Sequence, residues 1–214
     1  MLKIWGRRNA LNVQKVLWII GALDLAHEHI DLGGPFGGLD DPVYRALNPH
    51  GRIPTIDDHG TVVWESGAII RYLAARHGAG TLWPEDPAAR ARADQWMDWA
   101  QTALQPDFMA LFWGLVRTRP EKQDRAAIDA ARTRLSAHYA RLDAHLAAHR
   151  WLGGDTFTMG DIPAGTSCYR YFEMAIARPS LPNLEAWYGR LTAQPAYRRH
   201  VMLPFDDLYG WEDF

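Results

Sequence analysis

Apolar residues recur with two different periods along this chain, and the change falls near residue 78. Before it, strand and helix patterns alternate. Leu2-Lys3-Ile4-Trp5 reads as a short first strand. Val13, Val16, Leu17, Ile20 and Leu23 follow the i, i+3, i+4, i+7 rule, which predicts a helix over 12–23. His27 to Leu32 alternates weakly and reads as a second strand. Thr55-Ile56-Asp57 and Thr61-Val62-Val63-Trp64 flank Asp58-His59-Gly60, a hairpin signal. Ser66 to His77 then offers Ile69, Ile70, Tyr72 and Leu73 as the inner side of a helix. The order βαβ, then ββα, describes a small mixed sheet with helices packed on it.

Gly78 to Pro87 is a glycine- and proline-rich link, and strand patterns vanish beyond it. Ala88 to about Leu115 is helical, with Trp96, Trp99, Ala103 and Leu104 at helical spacing and Pro106 expected to kink or divide it. Glu121 to Arg150 is expected as one long helix with Ile128, Leu135, Tyr139, Leu142 and Leu146 as its inner stripe. In Phe157-Thr158-Met159-Gly160-Asp161-Ile162, Thr158 caps a following helix and Asp161 reaches back to the cap N–H, with Phe157 and Ile162 as the staple pair. Short helices are expected over 183–193 and 195–201. The aromatic, acidic tail from Pro204 to Phe214 is assigned no element. An α/β domain over 1–80 and an all-helical domain over 88–214 follow.

Composition narrows the class. A hydrophobic fraction of 48% over 214 residues fills a sizeable core. The 23 Lys and Arg against 25 Asp and Glu leave a net charge of −2, so no electrostatic footprint for nucleic acid or an acidic membrane is present. The longest apolar stretch, Val16 to Leu23, is far short of the ~20 residues of a spanning helix. Met1 to Trp5 is too short for a signal core. The single cysteine, Cys168, excludes an intrachain disulfide and suits a reducing compartment, and a cytoplasmic protein is expected. Cys168 lies in an apolar helix and is expected to be buried and inert. The glycine loop 33–38 lacks the Lys-Ser/Thr of a phosphate loop. His27 and His29 share a strand face without a third ligand, and His145 and His149 lack the metalloprotease glutamate, so no metal is expected.

The segment carrying most chemistry is Asn48-Pro49-His50-Gly51-Arg52-Ile53-Pro54-Thr55-Ile56, followed by Trp64-Glu65-Ser66-Gly67-Ala68-Ile69-Ile70-Arg71-Tyr72-Leu73. A proline just ahead of a short apolar strand cannot donate to a sheet ladder, so the chain there turns and offers its backbone to something else. About ten residues on, an acid–hydroxyl pair opens a helix, where free N–H groups and the helix dipole favour an anion. Together they form a socket for an extended, charged, peptide-like ligand.

These two segments, with Phe157 to Ile162, make the chain resemble the cytosolic glutathione transferases over nearly its whole length. Trp5-Gly6-Arg7, Asn12-Val13-Gln14-Lys15-Val16 and Leu115-Val116-Arg117-Thr118 are similar to a bacterial group near the theta and delta types. The resemblance implies a thioredoxin-like N-terminal domain, an all-helical C-terminal domain and a homodimer. It implies a cis bond before Pro54, with the Ile53 N–H and C=O pairing the cysteinyl backbone of glutathione as an added strand would. Glu65 would take the γ-glutamyl ammonium, and the Ser66 hydroxyl and N–H its carboxylate. Arg52 would meet the glycyl carboxylate, with His50 a weaker candidate.

The pattern departs from the family at one place. Members carry Tyr, Ser or Cys ahead of the first helix to face the glutathione sulfur, and alignment on Gln14-Lys15-Val16-Leu17 puts Ala10 there. A thiol of pKa about 8.5 must still lose its proton, and lowering that by ~2 units needs ~2.7 kcal/mol of preferential stabilisation. One or two hydrogen bonds to the sulfur, at ~1.5–3 kcal/mol each, suffice. Asn12 is the favoured donor and therefore the catalytic candidate, although its position also suits a helix cap. Arg8, Asn9 and the N–H groups opening the first helix are the other donors. The electrophile pocket is expected between the halves, with Arg8, Phe112 and Trp113 as its walls and Phe36, Phe108, Tyr209 and Trp211 as further candidates. Arg117 suits either an acidic substrate group or a carboxylate of its own fold. The activity so implied is conjugation of reduced glutathione to a small apolar electrophile. The rivals are a glutathione-dependent disulfide reductase or peroxidase, and a glutathione-binding module without catalysis.

Overall fold

The computed structural model describes residues 1–212. The first half is a four-stranded sheet in the order β2-β1-β3-β4, from β1 (Leu2–Trp5), β2 (His27–Ile30), β3 (Thr55–Asp58) and β4 (Thr61–Trp64). β1 runs parallel to β2 and antiparallel to β3, with Ile4 opposite Ile56 and Trp5 opposite Thr55. Helices α1 (Leu11–Ala22) and α3 (Ser66–His77) complete the thioredoxin-like arrangement expected from the βαβ-ββα order. A short α2 (Pro42–Leu47) went unforeseen. Its six residues are too few to show a period, and it stands on Asp41, whose carboxylate accepts from Val43 N at 2.8 Å, and on Pro42 at its first position.

The second half is all helical. α4 (Pro87–Trp99) passes through a π turn over Ala100–Leu104 into α5 (Gln105–Phe112), and a second π turn follows over Trp113–Arg117. Pro106 therefore does not divide this run, because the widened turn just ahead of it absorbs the proline ring and its missing donor. α6 spans Arg125–Leu146 rather than 121–150. Asp124 caps it, accepting from Ala127 N at 3.1 Å, and Pro120–Lys122 forms a separate 3-10 turn. α7 (Asp161–Glu173), α8 (Pro182–Thr192) and α9 (Pro195–His200) close the domain. In the tail Asp206–Leu208 forms a 3-10 turn, and Asp213 and Phe214, part of the helical domain expected over 88–214, lie outside the described residues.

Helix α1 joins the halves. Every residue from Val13 to Ile20 is buried, so the helix is covered all round rather than on one stripe. Trp18 stacks on Phe157 at 5.5 Å, meets Tyr197 edge-on at 4.7 Å, and donates from Nε1 to Gln194 Oε1 at 3.2 Å. Phe157 thus packs on α1. The acid of the expected capping box behaves as read: Asp161 accepts from Thr158 N at 3.0 Å. It also accepts from Leu152 N at 2.9 Å and Trp187 Nε1 at 3.1 Å, and burial pushes its pKa up to about 6. Helix α7 begins at Asp161 itself, with Gly160 rather than Thr158 at the cap position.

Asp161→Ala strands three buried donors at once, so a loss of about 3–5 kcal/mol is expected in urea unfolding, with Asp161→Asn losing less because its carbonyl still accepts. A loss under about 1 kcal/mol in Asp161→Ala would show that this junction does not hold α7.

Candidate active site

One cavity of about 450 Å³ lies between the two halves. Its near wall is the turn from β1 into α1 (Arg7, Asn9, Ala10, Leu11, Asn12) and the loop ahead of β3 (His50, Gly51, Arg52, Ile53). Its far wall is Gln105, Met109, Phe112 and Arg117 of the α5 run, Arg170 of α7 and Leu208 of the tail.

The near wall is shaped by local chemistry. Asn48 is buried, and its Nδ2 donates to Arg52 O at 2.8 Å and Thr55 Oγ1 at 3.1 Å while its Oδ1 accepts from His50 N at 3.1 Å. Tyr44 Oη adds a bond to Arg52 O. The loop is thereby fixed from behind, and the Ile53–Pro54 bond is cis. Neither the N–H nor the C=O of Ile53 is engaged by another described residue, which leaves a free strand edge facing the cavity. Gly6, at φ +146°, is where this loop meets α1. A Cβ there would sit 2.5 Å from Val13 Cγ2 and 3.2 Å from Ile53 Cβ, so only glycine fits.

Glu65 and Ser66 do not line the cavity; they form the junction of β4 with α3. Glu65 is exposed and holds φ +67°, a left-handed conformation that costs a non-glycine residue ~1 kcal/mol or more and that clusters at functional sites. Ser66 is buried, and among the described residues its hydroxyl makes no hydrogen bond, although it opens a twelve-residue helix. An acid and an unengaged hydroxyl at a helix start suit an amino-acid head.

At the other helix start the cap residue is Ala10, which brings no side-chain acceptor. The N–H groups of Leu11, Asn12 and Val13 precede the first intrahelical bond, Gln14 N to Ala10 O at 2.9 Å, and so remain open. Asn12 is therefore not the cap but the second helical residue. Its Oδ1 accepts from Lys15 Nζ at 2.9 Å and from Gln105 Nε2 at 3.4 Å, and Lys15 Nζ also bonds Gln105 Oε1. The ammonium form of lysine can only donate, so protonated Lys15 fixes the amide oxygen inward and leaves Nδ2 to the cavity.

Lys15 went unrecognised as a site residue, although a lysine four residues from both Leu11 and Ile19 on an apolar helix was a visible anomaly. It is 2% exposed, and burial lowers its pKa to about 7 despite the opposing pull of Glu65. Arg7, Gln105 and Arg170 were missed as well, whereas Asn9, one of the donors named from the sequence, is on the lining. Conversely, Arg8 is exposed and lies outside the cavity lining, its charge felt by His29 and His200 instead. Trp113 is also off the lining and carries the Arg117 guanidinium 4.3 Å from its ring, whereas Phe112 is in place. Of the further wall candidates, Phe108 is core, Phe36 and Tyr209 are exposed, and Trp211 covers Arg7 at 5.1 Å. Cys168 is buried, and burial pushes its thiol pKa up.

A thioredoxin-like sheet with a free backbone edge, joined to a helical bundle across a polar cleft, defines a thiol-peptide-binding enzyme scaffold. The family model described as glutathione S-transferase, N-terminal domain, matches residues 8–81, and that of the C-terminal domain matches 94–195. The chain is 44% identical over 206 residues to glutathione S-transferase GstB of Escherichia coli, covering 95% of this chain and 99% of that protein. The theta class glutathione S-transferase of Xanthomonas axonopodis pv. citri, solved with glutathione bound, superposes with a TM-score of 0.91 at 50% identity over 95% of this chain and 98% of its own. Glutathione S-transferase 3 of Zea mays is 29% identical, over 94% of this chain and 93% of its own. The chain belongs to the glutathione S-transferase family.

Lys15 gives a pH signature. Unfolded it titrates at about 10.4, folded at about 7, so between those values the unfolded chain holds a proton that the folded chain does not. The cost of the buried charge is complete below pH 7 and is relieved as pH rises. Relative to Lys15→Met, the wild-type chain is expected to gain about 2–4 kcal/mol in urea unfolding between pH 6 and pH 10. Parallel pH profiles for the two proteins would rule out a desolvated ammonium.

Proposed function

We propose that this chain binds reduced glutathione and transfers it, as thiolate, to a small electrophile, with the Asn12 amide and the open N–H groups of α1 holding the sulfur. One observation carries the mechanism: Asn12 Oδ1 is engaged by Lys15 and Gln105, so its Nδ2 is a preset donor beside the free helix start. The Ile53 edge takes the cysteinyl backbone. Arg52 meets the glycyl carboxylate, while Glu65 and Ser66 take the γ-glutamyl ammonium and carboxylate. Pro54 turns the chain so that Ile53 faces the ligand.

Stabilisation here is differential. The thiol gains little from an N–H donor, the thiolate gains a charge-assisted bond, and the difference appears as a lowered thiol pKa. Lys15 strengthens the effect by polarising the Asn12 amide and by contributing its own charge when protonated. Attack on an electrophilic carbon then forms the C–S bond as the leaving group departs. Residues 1–80 supply the glutathione half of the site and 88–214 the electrophile half, with Met109 and Phe112 against the body of the electrophile. Among the described residues no helix is long and apolar enough to cross a membrane. A cytosolic homodimer completes the proposal; the single, buried cysteine suits a reducing compartment.

Loss of one charge-assisted bond is worth ~1.5–3 kcal/mol, or roughly one to two pKa units. Asn12→Ala is expected to raise the midpoint of the thiolate absorbance titration of the glutathione complex by that amount and to lower kcat/KM at pH 7 by roughly 10–100-fold. An unchanged midpoint would remove Asn12 from the mechanism. Glu65→Ala and Ser66→Ala, by contrast, are expected to weaken glutathione in calorimetry by about tenfold or more without moving that midpoint; unchanged affinity in both would displace the amino-acid head from α3.

A further inference from the structure

The charge of the cavity lining is not what an apolar electrophile asks for. Arg7, from the β1–α1 turn, and Arg170, from the middle of α7, both line it, and Arg117 joins them from the second π turn. Arg117 is engaged by the tail: its Nε donates to Trp211 O, and its guanidinium lies over the Trp113 and Trp211 rings. Arg7 and Arg170 meet only neutral partners among the described residues: Arg7 Nη1 donates to Asn9 Oδ1 at 2.6 Å and its guanidinium lies 5.1 Å from the Trp211 ring. Neither forms an ion pair with a described carboxylate. Asp207 is the acid whose charge they feel, and its carboxylate is taken up by Asn9 Nδ2.

Arg170 is 2% exposed. Of its three nitrogens, among the described residues only Nη2 is engaged, by Asn9 O at 2.5 Å and Gln14 Oε1 at 3.2 Å. Its buried Nε has no partner among the described residues. Phe112 at 4.8 Å and Phe205 at 5.7 Å hold the guanidinium in place without neutralising it. Burial and the charges of Arg7 and Arg117 lower its pKa to about 9, which still leaves it cationic at neutral pH. A buried cation facing like charges is unfavourable alone, and a planar anion in the cavity would relieve it by meeting the open fork of donors.

We infer that Arg7 and Arg170 form an anion subsite for the electrophile, so that the preferred co-substrates carry a carboxylate or a similar planar anionic group beside the carbon skeleton that the thiolate attacks. This revises the apolar electrophile expected from the sequence, and it rests on the glutathione reading above. The carboxylates of glutathione itself have other partners in that reading, at Arg52 and at the start of α3, which leaves these arginines to the second substrate.

The probes are 4-chloro-3-nitrobenzoate and its neutral isostere 4-chloro-3-nitrobenzamide. In both, the thiol proton goes to solvent, the sulfur lone pair forms the new C–S bond, and chloride leaves with the electrons of the C–Cl bond; the carboxylate or amide is unchanged. After division by the uncatalysed rates, kcat/KM is expected to favour the benzoate by about tenfold or more. That ratio is expected to collapse towards one in Arg170→Met and in the less buried Arg7→Gln, the second guarding against a folding defect in the first. Calorimetry of 3-nitrobenzoate with the protein saturated in S-methylglutathione is expected to show binding that weakens by about tenfold in either variant. Equal or inverted preference in the wild type overturns the subsite while amide turnover leaves the transferase reading intact. So does a loss of affinity for glutathione itself in Arg7→Gln, which would assign the arginines to glutathione. Failure of the wild type to bind glutathione at all sinks the earlier reading, and this one with it.

Discussion

The site is organised by a single buried ammonium. Lys15 stands on the helix that both halves share, and its Nζ bonds an amide from each, Asn12 on α1 and Gln105 on α5. Desolvating that charge is costly, and nothing in the core needs it, since an apolar side chain would fill the same space. What the ammonium does that a methyl cannot is fix orientation. It forces two amide oxygens inward and so determines which edge of Asn12 faces the cleft. The polar junction therefore ties the register of the helical half to the geometry at the start of α1.

That arrangement makes sense of the missing hydroxyl. With Ala10 at the cap, no side chain competes for the first N–H groups of α1. A serine there would be able to satisfy one of them itself. Here the unsatisfied helix start, the dipole behind it and the oriented amide present several donors towards the same region. In the proposed mechanism thiolate stabilisation is spread over fixed dipoles rather than assigned to one ionisable group, which is the form of electrostatic assistance that needs least reorganisation during reaction.

How much of this was legible in the sequence follows from how local each feature is. The loop from Asn48 to Pro54 folds on its own bonds, Asn48 to Arg52 and Thr55, so its residues announce it in a row. Asp161 bonding back to Thr158 is equally local, as is the hairpin of β3 and β4. The far wall is not local. Arg170 reaches Asn9 across 161 positions, and Lys15 reaches Gln105 across 90, so no window of sequence contains either pair. Arg8 was favoured over Arg7 because adjacent arginines in a turn are indistinguishable until the backbone sets which one points inward. The π turns at 100–104 and 113–117 were invisible for another reason: they add a residue to a turn without altering the apolar character that marks a helix.

Those π turns bear on the charge of the cleft. A regular helix advances 100° per residue, and each π turn lags behind that, so the face presented beyond it is shifted. The second turn puts Arg117, five residues beyond Phe112, on the lining where regular spacing would put Val116, while Trp113, next to Phe112, stays off it. An aromatic wall read from regular helical spacing thus becomes a mixed wall, apolar at Met109 and Phe112 and cationic at Arg117, with Arg170 brought up beside Phe112 by α7. The same ring that would contact an electrophile's apolar body also holds the guanidinium that would meet its charge. Shape and charge selectivity in this cleft are consequently coupled through Phe112, and a substitution there would be felt by both.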